Sequence, residues 1–180
     1  MSKGTSILVQ VIAYTIAIVI AIMVWTLTPQ LEDLWRLAAA DFAATVFIFL
    51  CSLIMNNSSM YDPYWSVKPA VIVCGYAYLF GLDSAASIAL FVLMMLYNLR
   101  LTSNFLRDWP GLKHEDWRYR DFRSKFPKLY WLISFSGIHL FPTVMVYLAC
   151  VPLYFVMKEP FDLNWIGMLG ITLTLAAIVI

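Results

Sequence analysis

The chain has 180 residues, of which 62% are hydrophobic and only 13% are charged, and its formal net charge is +1. Soluble domains are nearer half apolar and a quarter charged, and one small core cannot bury this apolar excess, so lipid is the natural solvent. The near-neutral balance excludes the strongly basic character typical of nucleic-acid binding proteins. The composition predicts an all-α fold, a polytopic transmembrane helix bundle, with no nucleic-acid partner.

Six apolar segments approach the length of about 20 residues that a membrane helix needs. In chain order they span residues 7–27, 37–55, 67–82, 84–101, 128–157 and 164–180. The first lacks the small-residue cleavage site of a signal peptide and is predicted to remain in the chain. The third is short and opened by Pro69, and Pro142 and Pro152 are predicted to kink or break the long fifth segment. We expect about six helices in a single transmembrane domain over 1–180, C-terminally truncated because the last apolar run ends uncapped at Ile180.

The basic residues predict an orientation. Eight of the twelve Lys and Arg residues lie between positions 100 and 128. In a six-span bundle Lys3 and Lys68 fall on the same side as this loop, and only Arg36 and Lys158 fall on the other. The positive-inside rule therefore predicts that the N-terminus and the 100–128 loop are cytoplasmic.

Cysteine and histidine usage argues against metal or disulfide chemistry. The three cysteines lie in apolar runs without a CxxC pair, and His114 and His139 are isolated in the sequence. Free cysteines in such runs behave as small buried hydrophobic residues, and a metal cluster needs more ligands than these. We expect neither a disulfide framework nor a metal site.

A polar stripe runs along the second apolar segment. Its members, spaced by 4, 7 and 4 residues, fall within about 60° of one helix face: Asp41, Thr45, Ser52 and Asn56. An ionisable residue in a membrane usually faces a cavity or the bundle interior, whereas Ser, Thr and Asn also join helices by hydrogen bonds. The stripe therefore predicts a cavity lining or a helix-packing seam, and Asp41 favours the cavity.

The fifth segment carries a second stripe, formed by Ser136, His139, Thr143 and Tyr147. His139 could donate a proton or bind a ligand. A lone histidine on such a face is more often hydrogen-bonded to a neighbouring helix, so both interpretations stay open.

Two polar loops separate the apolar segments. Residues 56–69 read Asn-Asn-Ser-Ser-Met-Tyr-Asp-Pro-Tyr-Trp-Ser-Val-Lys-Pro, in which Asp62-Pro63 predicts a turn. Tyr and Trp are also typical of an interfacial belt, but a belt does not require the neighbouring Asn, Ser and Asp residues. Residues 100–128 interleave Arg with Trp, Tyr and Asp, a combination that can hold phosphates and stack on an aromatic ring. The alternative is a solvated, positive-inside loop with internal ion pairs.

Neither GxGxxG nor GxxxxGK[ST] occurs in the chain, so a nucleotide site here would be neither Rossmann nor P-loop. The two loops instead resemble the signature of the DUF1295 membrane proteins. The matching motifs are Asn56-Asn-Ser-Ser…Tyr61-Asp-Pro-Tyr-Trp-Ser-Val-Lys-Pro69 and Arg100-Leu-Thr-Ser-Asn104…Gly111…His114-Glu-Asp-Trp-Arg-Tyr119…Arg123. The resemblance covers about residues 35–180 and groups the chain with steroid 5-alpha-reductase-like proteins. That wider group includes isoprenylcysteine carboxyl methyltransferases and sterol reductases.

The resemblance implies a membrane-embedded oxidoreductase that reduces a carbon–carbon double bond of a steroid-like or isoprenoid-like lipid with NADPH. Asn104 and Asp108 match the Asn-x-x-x-Asp spacing that contacts the dinucleotide in steroid 5-alpha-reductases. The implied cofactor-binding set comprises Arg100, Asn104, Asp108, Glu115, Asp116, Arg118, Tyr119 and Arg123. Family members continue with a Glu-x-x-Ala-Asp helix and an Asn-Pro-Asn-Tyr-like motif, so we expect the cofactor site to be incomplete within these 180 residues.

The reductases' catalytic Glu–Tyr pair has no clear counterpart, and the candidates for catalysis are Tyr61, Tyr64 and Asp41. The predicted substrate cavity is formed by Thr45, Ser52, Asn56, Asn57, Trp65 and His139. Two other functions stay open. One is an S-adenosylmethionine-dependent, methyltransferase-like membrane enzyme; the other is a non-catalytic protein that binds membrane lipid or assists assembly.

Overall fold

A computed structural model describes residues 1–159 and 162–180, and within these ranges the regular structure is entirely helical. The helices are α1 (Lys3–Leu27), α2 (Asp33–Ile54), α3 (Tyr64–Phe80), α4 (Ala85–Asp108), α5 (Trp117–Lys125), α6 (Tyr130–Ile133), α7 (Phe141–Lys158) and α8 (Trp165–Val179). A 3₁₀ turn at Ser58–Met60 precedes α3, and a π-helical turn at Ser134–Leu140 joins α6 to α7. The predicted all-α class is confirmed.

Four helical stretches of the described chain are long and apolar enough to cross a membrane. They are α1, α2, α4 and the continuous run Tyr130–Lys158, whereas α8 is apolar but shorter. The chain is an integral membrane protein. The cytoplasmic placement of its N-terminus and of residues 100–128 stays a prediction.

The helices fall into two compact units. The first comprises Met1–Trp65 and Trp109–Tyr147, and the second comprises Ser66–Asp108 and Leu148–Ile180. In the first unit α1 packs along α2, and the 3₁₀ turn packs against α2. In the second unit α4 packs against α8, and the Arg100 guanidinium donates to the Ala177 carbonyl at 3.1 Å. The expectation of a single transmembrane domain over 1–180, truncated at its C-terminus, stays a prediction.

The 100–128 region is more helical than its composition suggested. Helix α4 continues to Asp108, so Arg100, Asn104 and Asp108 lie on a helix rather than in a loop. The helix ends just before Trp109-Pro110, where the proline restricts the preceding residue to extended conformations. The backbone of a membrane helix can stay helical through charged residues that follow its apolar part. Hydropathy reports only the apolar part and therefore misses this extension.

The prediction for Pro69 is wrong, and for Pro142 and Pro152 the break is wrong while the kink stays a prediction. Helix α3 begins at Tyr64, so Pro69 lies inside the helix rather than opening it. The fifth segment is helical from Tyr130 to Lys158 and is not broken at either of its prolines. The π-helical turn ends at Leu140, two residues before Pro142, whose nitrogen has no proton for the regular helix ladder.

Candidate functional site

Helix α2 ends at a pair of asparagines. Asn56 has a φ of 49°, its N–H donates to Leu53 O at 3.1 Å, and the Asn57 N–H donates to Ser52 O at 2.9 Å. These bonds form a Schellman motif, in which a left-handed residue satisfies the last carbonyls of a helix. Asn56 therefore leaves the helical stripe predicted for it, and its exposed side chain accepts a hydrogen bond from Arg123 at 2.8 Å.

Asn57 connects the 3₁₀ turn to the segment that follows α4. Its Oδ1 accepts from the Ser59 N–H at 2.8 Å, which caps the 3₁₀ turn. Its Nδ2 donates to the carbonyls of Leu112 at 2.8 Å and His114 at 3.1 Å. A single buried amide thus holds the two motif loops together, and neither carbonyl is left without a donor.

Glu115 is the centre of a second connection. Its Oε1 accepts from the Ser58 N–H at 2.8 Å, from the Tyr130 hydroxyl at 3.0 Å and from Arg123 Nη2 at 3.1 Å. The Arg123 guanidinium also lies 4.0 Å from the centre of the Tyr130 ring. Glu115 and Arg123 therefore fix the loop structure, because their hydrogen-bonding groups are directed at neighbours within the protein.

The exposed side of α5 has a different character. Asp116 caps the helix by accepting from the Arg118 N–H at 2.9 Å, and the Arg118 guanidinium donates twice to the same carboxylate at 2.8 and 3.0 Å. These hydrogen bonds lower the pKa of Asp116. Trp117 is 67% exposed, and Arg120 and Lys113 are exposed as well. This surface exposes cations and one aromatic face, together with ion pairs inside the segment, and its use for phosphate and ring binding stays a prediction.

A chain of hydroxyl groups lies buried between α2, α7 and the start of α3. The Tyr61 hydroxyl is 2.9 Å from Thr143 Oγ1, which is 3.1 Å from Thr45 Oγ1. Thr45 in turn hydrogen-bonds the Tyr64 hydroxyl. Asp41 lies one turn before Thr45 and is also buried, at 6% exposure. The three catalytic candidates are therefore brought into one buried polar array.

Burial, with a smaller contribution from the Asp41 charge, raises the pKa of Tyr61 well above its ordinary value. A phenol in this environment keeps its proton at neutral pH, since ionisation would place a charge in an apolar interior. Tyr61 is thus suited to hold and donate a proton rather than to accept one.

His139 is fully buried in the π-helical turn. Its Nε2 lies 2.9 Å from Ser52 Oγ, and its Nδ1 lies 2.9 Å from the Ser134 carbonyl. Because a carbonyl can only accept, Nδ1 carries a proton. His139 is therefore hydrogen-bonded to the neighbouring helix α2, as one of the two sequence interpretations held.

The π-helical turn changes the second polar stripe. Ser136, predicted to share the face of His139, is exposed and bonds back to Leu132 O at 2.8 Å. Ser134 takes its place: its hydroxyl is buried and lies 2.8 Å from Ser58 Oγ. The reason is the i→i+5 bonding of a π-helix, which brings residues five apart into alignment.

The structure divides the predicted site residues between the two units. Glu115, Asp116, Arg118, Tyr119 and Arg123 lie with the 56–63 loop in the first unit, whereas Arg100, Asn104 and Asp108 lie on α4 in the second. Trp65, predicted to line the cavity, is 40% exposed. The sequence reasoning missed several residues of the network: Gln10, Tyr14, Ser58, Tyr130 and Ser134. Ser58 lies within the Asn-Asn-Ser-Ser motif, and its place in that motif could have indicated from the sequence that it belongs to the network.

No group of three or more His, Cys, Asp or Glu side chains that could hold a metal occurs among the described residues. The arrangement is that of a helical integral membrane protein that has a buried polar array and two motif loops joined by hydrogen bonds. Residues 48–180 match the family model described as "Protein of unknown function (DUF1295)", and the chain belongs to that family. No curated protein and no solved structure matches the chain.

Asp41 and Thr45 lie before the matched range, whereas both motif loops, His139 and Thr143 lie inside it. The buried hydroxyl chain therefore combines residues inside the range that matches the family model with residues that precede it. Any account of its chemistry has to include the part of α2 that precedes residue 48.

Proposed function

We propose that the protein is a membrane-embedded, NADPH-dependent reductase of a carbon–carbon double bond in a lipid-like, steroid-like or isoprenoid-like molecule. The observation that carries the proposal is the buried chain of hydroxyls from Tyr61 through Thr143 and Thr45 to Tyr64. The resemblance of the two motif loops to steroid 5-alpha-reductase-like proteins supports the same reaction class.

The exposed cations and the aromatic ring on α5, with Lys113 just before it, suit part of a dinucleotide. Phosphate oxygens favour guanidinium groups, and an adenine ring favours an exposed aromatic face. Arg118, Arg120 and Lys113 supply the cations, and Trp117 supplies the ring. Arg118 also pairs with Asp116, but its side chain is 60% exposed and remains open to a phosphate. Arg123 is assigned to the loop instead, because it is only 29% exposed and its guanidinium is engaged by Asn56 and Glu115.

NADPH, when bound, would supply a hydride to one carbon of the double bond. The other carbon needs a proton, which Tyr61 would donate as a general acid. Thr143 and Thr45 orient the phenol and connect it to Tyr64, so a proton lost from Tyr61 can be replaced along the hydroxyl chain. The array itself is buried, so a double bond reduced beside it would be shielded from water.

Isothermal titration of the purified protein in detergent, with NADPH and S-adenosylmethionine as alternative ligands, tests the proposal. We expect NADPH to bind and Arg118→Ala to weaken binding by about tenfold, the loss of one charge-assisted contact. Lys125→Ala is the matched control, since Lys125 also lies on α5 and pairs with Asp121 at 2.7 Å. Absence of NADPH binding, or equal binding in Arg118→Ala, would refute the cofactor site, and binding of S-adenosylmethionine alone would favour the methyltransferase.

Tyr61→Phe separates binding from chemistry. We expect this variant to bind NADPH with unchanged affinity and to lose reduction of a lipid-like enone substrate by at least about a hundredfold, the usual contribution of a general acid. Tyr78→Phe removes a hydroxyl from a side chain that is 88% exposed on α3 and serves as the control. Full activity in Tyr61→Phe would exclude it as the proton donor.

A further inference from the structure

Helix α1 has one polar face in an otherwise apolar sequence. Ser6, Gln10 and Tyr14 follow one another at four-residue intervals and are 0%, 4% and 8% exposed. Residues four apart lie above one another on a helix, so the three side chains form one buried row. Burying polar groups in this way is unfavourable unless they are hydrogen-bonded.

Two of these side chains hold the 3₁₀ turn. The Tyr14 hydroxyl and Gln10 Nε2 each donate to the Met60 carbonyl at 2.8 Å, and Gln10 Nε2 also donates to the Tyr14 hydroxyl at 2.9 Å. Met60 directly precedes Tyr61, the proposed proton donor. The Met60 peptide therefore determines the position of the Tyr61 Cα atom, from which the Tyr61 side chain extends.

The third side chain holds the other motif loop. Ser6 Oγ accepts from the Leu112 N–H at 3.1 Å and donates to the Ser2 carbonyl at 2.9 Å. The adjoining Gly111 has a φ of +105°, and a Cβ built there would lie 2.9 Å from Ser6 Oγ and 3.5 Å from Lys3 Cα. Glycine is needed at this point for its backbone conformation and for the close approach to α1.

We propose that α1 is a positioning element of the site, in which Ser6 fixes the 110–116 loop while Gln10 and Tyr14 fix the 57–62 turn. All of α1 precedes the residues that match the family, yet its polar face binds the backbone of both motif loops. The inference rests on the proposed function only where it concerns cofactor binding and activity. The placement of the loops is a separate, directly measurable property.

Amide hydrogen exchange on the whole protein in detergent tests the placement. We expect Ser6→Ala to speed exchange of the Leu112 amide on the order of tenfold, with no change in 57–62, because only that amide loses its acceptor. Tyr14→Phe should instead speed exchange of the amides in 57–62 and leave exchange of the Leu112 amide unchanged. Thr15→Ala is the control, since its exposed hydroxyl bonds Val11 O in the same helix. Uniformly faster exchange throughout α2 in either variant would overturn the proposal, because it would indicate general destabilisation.

A double substitution tests the contact from both sides. Gly111→Ala should open the 110–116 loop, and adding Ser6→Ala should restore part of the protection of residues 113–116 by removing the nearest atom, while the Leu112 amide stays without its acceptor. Strain at the positive φ remains in both variants, so the rescue is partial. No rescue would mean that Ser6 and Gly111 do not meet as described.

Cofactor titration of the same variants separates the two proposals. We expect Ser6→Ala and Tyr14→Phe to weaken NADPH binding severalfold while the protein remains folded, and Ser6→Thr, which keeps the hydroxyl, to retain it. Local exchange effects without any NADPH binding in the wild-type protein would leave the positioning role intact and refute the proposed function. Equal NADPH affinity in wild type and both variants would refute the role of α1 in the site.

Discussion

Tyr119 and Asp62 are joined by a hydrogen bond of 2.7 Å, in which the phenol of α5 donates to a carboxylate oxygen of the 56–63 loop. Burial raises the pKa of Asp62 to about 6 from 3.8, although hydrogen bonds from Tyr119 and Ser59 act in the other direction. Asp116 adds a repulsive charge and Arg118 an attractive one. The connection between α5 and the loop therefore contains a carboxyl group that titrates close to neutral pH.

Because the pKa of Asp62 is higher in the folded protein, its ionisation destabilises the fold. The folded state binds more protons than the unfolded state between about pH 4 and 6, so stability should fall as pH rises through this window. Asp62→Asn removes the penalty and keeps an acceptor for Tyr119. We expect it to raise the melting temperature in detergent at pH 7.5 and to flatten the stability profile between pH 4 and 6.

Asp121→Asn provides the comparison for this pH profile, because Asp121 is half-exposed and pairs with Lys125 on the surface of α5. It makes the same Asp-to-Asn change at an exposed position, so the effect specific to Asp62 is the difference between the two variants. A lower melting temperature of Asp62→Asn at pH 7.5 would contradict the assignment, since it would show that the carboxylate stabilises the fold.

Arg123 is expected to be intolerant of lysine. Its guanidinium bonds Asn56 and Glu115 and stacks on Tyr130, a geometry that an ammonium group cannot reproduce. Arg123→Lys should reduce stability by about 2 kcal/mol and make the 56–63 loop more accessible to protease. Arg120→Lys, at an exposed position of the same helix, should change stability by less than about 0.5 kcal/mol. Similar losses in both variants would argue against a specific role of Arg123.

Asn57 is expected to be sensitive even to its nearest isostere. Asn57→Asp replaces a donor of two hydrogen bonds with a charged acceptor that faces the carbonyls of Leu112 and His114. The buried carbonyls then lose their donor and face a negative charge, so we expect a loss of at least about 3 kcal/mol. Thermal unfolding across pH measures it, and part of the loss should be recovered at acidic pH, where the new carboxyl is protonated. A pH-independent loss would contradict this explanation.

Thr143→Val tests the hydroxyl chain without changing side-chain shape. It removes the hydroxyl that links Tyr61 to Thr45, so the proposed reduction should slow by about tenfold while NADPH affinity stays constant. Thr172→Val on α8 is the matched control, because that hydroxyl is exposed and bonds Met168 O in its own helix. Unchanged turnover would show that the Thr143 hydroxyl has no part in proton delivery.

The membrane character and the buried face of α2 could be predicted because they depend on composition and on helical periodicity. Asp41, Thr45 and Ser52 are all buried, as their spacing predicted. Asn56 departed from the stripe because a helix end depends on local capping, which periodicity does not report. The extent of α4 was underestimated for a related reason, since hydropathy follows the apolar part of a helix and not its polar end.

The connections between the loops could not be predicted, because each joins residues far apart in the chain. Glu115 and Tyr119 carry charge or polarity typical of a ligand site, yet their partners are Ser58, Arg123 and Asp62. A motif shows which side chains occur together but not whether they face a ligand or one another. Gln10 and Tyr14 were missed although they follow Ser6 at four-residue intervals, because the spacing shows a shared helix face but not the backbone groups that the face binds.

The π-helical turn at Ser134–Leu140 has a consequence for length variation in this helix. Deleting Gly137, whose surroundings are open, would remove the additional residue that a π-turn holds relative to an α-helix. Everything after the deletion would turn by about 100° relative to everything before it. Ser134 and His139 would no longer be aligned, and Thr143 would rotate away from Tyr61. Deleting one residue from this helix would therefore change which side chains contact one another. Deleting one residue from the exposed 126–129 connection would leave those contacts intact.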